Sequence, residues 1–592
     1  MILHIFLFHF QVGGIITKKQ LTMLLLKKII FVILLQQVAL TYCIIEAQTR
    51  GSELAYLQTD RTVYIAGEAV YYKLYVLDAA TKKCSEISKV GYIVLRAVNS
   101  APSLKIRVKI DAGKAYGSII LPDTLTSGVY QLVAFTSSMR NLGEEHFFHK
   151  EITIANRFDK ALDFSMIKSN LKVDDSTQLQ DFNLEIKLNK LVYGMRDKIV
   201  VNLGKTKSKA NVSVSVFEET QIPSKYKSIV EVLRDTSVVQ NSRKVLKYYS
   251  PETKGKLLRG TVVDAKTQQT IKDAVVLLSC IDSIPNLQYA VTNSNGLFKL
   301  LLSDYYNSKE LFLTIKDVPE NQNWQLKIED EFAQTDKWNP VLISGNGIYK
   351  EFLLKSQNLV YINKSYQLDN KNLDKQMNKS NSVCPQFYHC PVTTVLPSDF
   401  VPLPNFLEIA VEILPQVRII KIKDQYQTQM FNDFLREFDT HSPAFFLDGV
   451  FEGDINKIIE LGSEQIKKID LIPEERAFGD LVFGGVISIT SKTNEILNSK
   501  PASNSLILKN ENVNTGGNFV AVNPTTNQNK KIPFLNQLLY WNPNLELNGT
   551  ESTNFEFYTS DNLANYSIKV EGISEDGTPV SASSSFQVTN SN

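Results

Sequence analysis

The sequence predicts a mainly β protein: tandem immunoglobulin-like β-sandwiches plus one small α+β domain toward the C-terminal end. Three observations predict it. Strand-length alternating runs separated by turn residues fill the region from Leu54 to Phe158. A ten-residue motif beginning at Thr59 returns at Leu188. The chain has 592 residues, several times the usual domain size, so roughly four to six domains of about 100 residues are expected rather than one core.

Composition excludes a wholly disordered, fibrous or polytopic membrane chain. Hydrophobic residues make up 43% and charged residues 21%, ordinary globular values. The 64 Lys and Arg nearly balance the 62 Asp and Glu, so no long-range field would gather nucleic acid, and a nucleic-acid partner is not expected.

Residues 1–47 read as a secretory signal. Lys27 and Lys28 precede an apolar run from Ile29 to Leu40, and Ala47-Gln48 offers a cleavage point. Met23 is then the expected start. An uncleaved anchor is the alternative, although the run is short of the roughly 20 apolar residues a span needs. Tyr42 is bulky where a lipoprotein site wants a small residue, so lipidation at Cys43 is not expected. An exported chain would be periplasmic or associated with the outer membrane or cell surface.

A first sandwich is expected over 52–157, with strands such as Val70–Val76 and Ile106–Ile110. The motif Thr59-Asp60-Arg61-Thr62-Val63-Tyr64-Ile65-Ala66-Gly67-Glu68 opens it. The returning copy, Leu188 to Asp197, opens a second sandwich over 160–250. Tyr64 would place its ring in a core with its hydroxyl in water, and Gly67 would allow the turn that launches the next strand. Asp60, Arg61, Tyr64, Gly67 and Glu68 are therefore read as folding residues.

The tyrosine after Asp60-Arg61 and the Gly67-Glu68 pair resemble the start of the macroglobulin-type domains of alpha-2-macroglobulins and of large exported Bacteroidetes proteins. A third unit, 254–320, has Lys256–Asp264, Ile271–Leu278 and Val291–Leu300 as its strand segments. It resembles the carboxypeptidase regulatory-like domain, a transthyretin-like sandwich, with Asn295-Gly296 as a hairpin turn. Residues 321–399 read as a β segment and polar connector.

Within 400–495, Phe406 to Val417 has helical spacing and is ended by Pro415. The strand Phe445–Leu447 then enters an Asp448-Gly449 turn, followed by a helical segment at Ile455–Leu461, a strand at Ile466–Ile472, and a strand from Gly485 to Thr490 ending at Ser491-Lys492. This order is similar to the plug domain of TonB-dependent outer-membrane receptors. Pro473-Glu474-Glu475 departs from that pattern. The residues after Lys492 are far too few for a barrel of about 22 strands, so the chain is not expected to transport by itself. A polar linker, 496–531, and a C-terminal β-sandwich, 532–592, complete the expected organisation. The closing sandwich resembles that of the same Bacteroidetes proteins.

Chemistry is sparse. No HExxH, GxSxG, Walker A or complete GxGxxG motif occurs. His146 and His149 would fall on opposite faces of a strand, as surface or edge-strand residues. None of Cys84, Cys280, Cys384 and Cys390 stands in a thioester context, which disfavours covalent protease trapping. Cys384 and Cys390 are close enough for a disulfide in an oxidising compartment. Asp174-Asp175 and Glu474-Glu475 could be calcium or acid-base groups, with solvated turns the preferred reading. The Asp448-Gly449 turn is preferred as backbone geometry over a contact loop. No catalytic residue, cofactor or metal site is expected. The expected role is a non-enzymatic, elongated envelope protein whose β domains act as spacers and binding surfaces, with the plug-like part as a docking module. Its partner would be an envelope protein, with the ligand unidentified. Alternatives are an accessory to an outer-membrane transport barrel and a non-covalent macroglobulin-type protease inhibitor.

Overall fold

The computed structural model describes chiefly residues 52–98, 102–159, 183–220, 227–234, 248–281, 286–302, 310–333, 391–494, 504–510, 519–526 and 533–590, with scattered single positions excepted or added. Residues 1–47, expected to be a secretory signal, Asp174-Asp175, Cys384 and Cys390 lie outside the described residues. Among those described, no helix is long and apolar enough to cross a membrane.

The first sandwich has eight strands: β1 (Glu53–Thr59), β2 (Val63–Ile65), β3 (Ala69–Asp78), β4 (Val90–Ala97), β5 (Pro102–Lys109), β6 (Lys114–Ile120), β7 (Gly128–Thr136) and β8 (Phe148–Ala155). Sheet β1-β3-β6 faces sheet β2-β8-β7-β4-β5, and β2 runs parallel to β8. Val70, Tyr72, Leu74 and Val76 of β3 enter the core, as period-2 alternation requires. Yet β1 is buried at every position and β3 at nearly every one. The outer face of this sheet is covered by a second sandwich.

That second sandwich begins with β9 (Ile186–Leu188), β10 (Val192–Tyr193), β11 (Lys198–Leu203) and β12 (Ala210–Glu218). The chain then leaves it. A short helix, α1 (Ile229–Arg234), starts at Ser228, whose backbone N–H donates to Glu231 Oε2 at 2.6 Å while its Oγ accepts from the Glu231 N–H at 3.3 Å. Ile229, Val230 and Leu233 bury against the first sandwich's core and Ile573.

Next comes a sandwich of β13 (Lys256–Asp264), β14 (Val275–Cys280), β15 (Gln288–Val291), β16 (Leu297–Leu302), β17 (Glu310–Ile315) and β18 (Trp324–Ile328). Its sheets are β16-β13-β18 and β15-β14-β17 plus a further strand supplied later. The Asn295-Gly296 turn, with Gly296 at φ 69°, links strands of different sheets; it is not the hairpin the sequence suggested. Strand β18 extends this unit past the expected boundary at 320.

The α+β unit follows: β19 (Thr393–Val395), α2 (Phe406–Ile413), β20 (Val417–Ile422), β21 (Gln425–Asn432), β22 (Glu437–Phe438), β23 (Ala444–Leu447), β24 (Val450–Phe451), α3 (Ile455–Ile459), β25 (Ile466–Ile472), β26 (Arg476–Phe478), β27 (Leu481–Phe483) and β28 (Val486–Ser491). Asn405 caps α2 by accepting from the Glu408 N–H at 3.0 Å, and Pro415 stands just past its end. The main sheet runs β19-β25-β28-β23-β24, and both helices bury apolar side chains on it. Strand β29 (Ser505–Lys509) then pairs antiparallel with β17, so the expected polar linker closes the preceding sandwich. Its apolar run Leu506-Ile507-Leu508, flanked by Ser505 and Lys509, is hidden in an otherwise polar stretch.

Finally, β30 (Leu538–Leu547), β31 (Thr553–Tyr558), β32 (Asn565–Ser574) and β33 (Pro579–Val588) return to the second sandwich. Its sheets are β9-β11-β31 and β10-β33-β32-β12-β30, with β10 parallel to β33. This repeats the first sandwich strand for strand, β9–β12 standing for β1–β4 and β30–β33 for β5–β8. The expected domains 160–250 and 532–592 are therefore one domain, interrupted between its fourth and fifth strands. The reason is core volume: Ile199, Val201, Val212, Val214 and Val216 are covered by Phe555, Phe557, Ile568, Val570 and Phe586. Neither half has a core alone.

The inserted units are not spacers on a string. Their shared apolar cluster contains Leu277 and Leu287 of one and Ala444, Phe446, Ile472 and Phe483 of the other. The first inserted unit also leans on the first sandwich: Tyr92 stacks edge-on against Phe332 at 5.3 Å and donates to Glu252 at 2.8 Å.

Candidate functional site

The repeated motif is a backbone lock. Tyr64 is fully buried; its hydroxyl lies 2.9 Å from Asp60 Oδ1 and 2.7 Å from the Arg61 carbonyl oxygen, and accepts from the Arg61 N–H at 3.2 Å. Arg61 reaches Glu68 at 2.6 Å, and Glu68 accepts from the Ile65 N–H at 2.8 Å. The second copy keeps the lock with other residues. Tyr193 donates to Asn189 Oδ1 at 2.5 Å and accepts from the Lys190 N–H, while Asp197 accepts from the Gly194 N–H at 2.8 Å. Tyr64 thus has no wet hydroxyl, contrary to the sequence reading; a ring this deep must satisfy its O–H within the protein. Gly67 is at φ 94°, and a Cβ there would sit 2.4 Å from Asp123 Oδ1. Arg196 holds the equivalent place at φ 60° and forks onto Asp561 at 2.7 and 2.6 Å.

Burial of Asp60 pushes its carboxyl up to about 6, against the opposing pull of Arg61. Its position inside the lock, where Oδ1 accepts from the buried Tyr71 N–H at 2.8 Å, makes this a folding feature.

The residues carrying the plug-like pattern also brace backbone. Asp448 and Gly449 have φ 52° and 87°, the two-residue turn between β23 and β24. Buried Asp448 accepts from the Ser491 N–H at 2.7 Å and Ser491 Oγ at 2.8 Å, tying this turn to the end of β28. Gly485, at φ 107°, leaves room for the Ile472 carbonyl oxygen and Met430 sulfur, each 2.7 Å from where a Cβ would be. The Lys492 side chain is exposed at the strand end.

The seam between sandwiches is unusually polar. Lys73, fully buried, donates to Asn211 Oδ1 at 2.7 Å, the Pro543 carbonyl at 2.5 Å and Asn544 Oδ1 at 3.3 Å. Burial pushes its amine down to about 7, yet three oxygen acceptors fit an ammonium, and the charged form is the one this geometry holds. Tyr56 donates to buried Glu571 at 2.5 Å, with Lys569 at 3.5 Å from that carboxylate. Burial, with Lys569 nearby, pushes Lys150 down to about 7.

A second seam joins the first sandwich to the insert. Arg107 hydrogen-bonds Glu331, and Lys256 lies 3.2 Å from the same carboxylate. Burial works against ionisation of Glu331, but Arg107 and Lys256 outweigh it and hold the carboxyl below its usual range. A cavity of about 110 Å³ beside this cluster is lined by Arg107, Lys256, Arg259, Glu329, Glu331 and Lys509 among others. Within this lining, Glu331 is ion-paired with both Arg107 and Lys256.

The histidine expectation is corrected. His146 is buried in a 3-10 turn (Glu144–His146), and β8, which carries His149, lies inside its sheet between β7 and β2. The strand starts later than alternation implied, at Phe148. His149 Nε2 lies 3.1 Å from the Glu144 carbonyl oxygen. Of the acidic pairs, Glu474 lies 3.4 Å from Arg476, whereas Glu475 turns to His441 at 3.5 Å. Asp439 joins them, and these three form the one group of potential metal-ligating side chains among the described residues. The sequence reading missed Asp439 and His441; an Asp-x-His in a turn-rich stretch was the available signal.

No family model matches the sequence, and no curated protein does. Among solved structures, the chain is similar to an Escherichia coli alpha-2-macroglobulin activated by porcine elastase, at 8% identity and a TM-score of 0.24, covering 91% of this chain and 44% of that one. It is similar to a Salmonella alpha-2-macroglobulin reacted with methylamine, at 9% identity and a TM-score of 0.16, covering 91% of this chain and 23% of the other. It is also similar to the Yersinia pseudotuberculosis adhesin InvE, at 11% identity and a TM-score of 0.12, covering 46% and 58%. The chain spans less than half the length of either macroglobulin.

Proposed function

We propose that this chain is a non-enzymatic cell-envelope scaffold whose paired sandwiches form a rigid base for an inserted, partner-binding module. One observation carries the reading. The insert leaves and re-enters the second sandwich at adjacent backbone, Glu218 N–H donating to the Gln537 carbonyl at 2.7 Å, as expected where a unit is added to a finished sandwich. The buried polar seams support rigidity, because misaligned sandwiches would leave Lys73, Glu571 and Arg107 without partners. An exported location rests on the leader-like residues 1–47.

The test is chemical cross-linking in the native envelope, with partner attachment sites mapped by mass spectrometry. Attachment concentrated in residues 252–510 supports the proposal. Attachment confined to the two paired sandwiches, or hydrolytic turnover abolished by one substitution, overturns it. A second reading, an accessory to a separately encoded outer-membrane barrel, is favoured by the order Asp448-Gly449 turn, β25, β28 in the α+β unit. Stoichiometric recovery of one barrel would select it.

A further inference from the structure

We infer that Asp439, His441 and Glu475 form a site for a divalent transition metal of the zinc class, with a solvent-facing coordination position. His441 Nδ1 lies 3.1 Å from Asp439 Oδ1 and 3.5 Å from Glu475 Oε2. Ligands held about 2.0–2.2 Å from a tetrahedral zinc are about 3.4 Å apart, so these separations need little adjustment. One nitrogen and two carboxylate oxygens form a donor set suited to zinc and unlike the all-oxygen cages of calcium or magnesium.

The ligands come from two segments whose backbone is already fixed. Asp439 and His441 follow β22, where the Asp439 N–H donates to the Met430 carbonyl at 2.9 Å. Gly484 N–H donates to the Ser442 carbonyl at 3.1 Å, and a Cβ at Gly484 would sit 2.1 Å from the His441 carbonyl oxygen, so this loop lies directly on the strand entry. Glu475 comes from the turn between β25 and β26. Among the described residues, the ion pairs of Asp439 and Glu475 are both with His441; neither has a lysine or arginine. Two carboxylates therefore face one imidazole, and a divalent cation would neutralise what a single proton cannot.

The Asp439 side chain is 7% exposed, while those of His441 and Glu475 are 50% and 49% exposed. The inner ligand is held by the fold and the outer two leave room for water or a donor from a second protein. Binding through Nδ1 requires the His441 proton on Nε2. A bound ion would tie the β22–β23 connection to the β25–β26 turn.

The test is isothermal titration of the purified chain with Zn²⁺ at pH 7.5, repeated for His441→Ala, Glu475→Ala and Glu474→Ala. One equivalent should bind and disappear, or weaken at least tenfold, in the first two variants, while Glu474→Ala retains it. Co²⁺ titration gives a second readout, a visible ligand-field band that His441→Ala removes. Absence of binding, or binding of equal stoichiometry and affinity in His441→Ala, would overturn the inference; circular dichroism of each variant identifies any that fails to fold.

Discussion

Replacing Phe586 with alanine should loosen strands that precede it by almost four hundred residues. Phe586 is 3% exposed and packs on Tyr193 at 5.6 Å, Phe557 at 5.8 Å and Tyr566 at 5.5 Å between ring centroids. Removing a buried phenylalanine costs about 3–5 kcal/mol, from lost transfer energy and the cavity left behind. At about 1.4 kcal/mol per factor of ten, amides exchanging through opening of this sandwich should exchange roughly 100- to 4,000-fold faster. Hydrogen exchange with mass spectrometry reads this peptide by peptide. The expected result is lost protection in β11 and β12 as well as β30–β33, with β4, β7 and β8 retained. Faster exchange confined to residues 533–590 would refute the reasoning, because it would mean the C-terminal strands fold as their own unit.

Two further outcomes follow from the locks. Asp60 has a folded pKa of about 6 against an unfolded value near 3.8, so stability is greatest below the lower value and declines as pH rises between the two, by up to about 3 kcal/mol; Asp60→Asn, matching Asn189 of the second copy, should flatten that decline in urea melts at pH 4, 5, 6 and 7. Gly485→Ala should destabilise the α+β unit by about 2–4 kcal/mol, from a left-handed backbone and a Cβ driven against the Ile472 carbonyl, measured as faster exchange in β25 and β28.

Local chemistry was legible in the sequence. The repeat at Thr59 and Leu188, the α2 helix stopped at Pro415, the Asp448-Gly449 turn and the strand at Ile466–Ile472 all depend on near neighbours. Pairing was not. Val214 finds Val570 and Asn202 finds Asn554 across an insert that has its own cores, and alternation within a strand carries no information about its partner. Burial on both faces was equally hidden: Tyr71, Lys73 and Tyr75 look like a solvated face until a second sandwich covers them. Lys73 is the instructive case, because a lysine reads as exposed unless its partners are known. Strand β29 was lost for a related reason: Leu506-Ile507-Leu508 is a three-residue apolar run, with no alternation to mark it, inside an Asn-rich stretch. Asp439, His441 and Glu475 are brought together by folding of the β22–β23 and β25–β26 connections, which their sequence separation does not reveal.

The central claim is that the last four strands complete the sandwich begun at Ile186. Asn202, half-buried, and Asn554, exposed, sit directly opposite on β11 and β31, with side chains joined by a 2.7 Å hydrogen bond. Opposed residues on antiparallel strands have Cβ atoms close to disulfide range. Mild oxidation of the Asn202→Cys, Asn554→Cys double variant should give a linked peptide pair spanning those positions, identified by mass spectrometry, with native-like circular dichroism. Free thiols at both positions in the folded, oxidised protein would contradict the account.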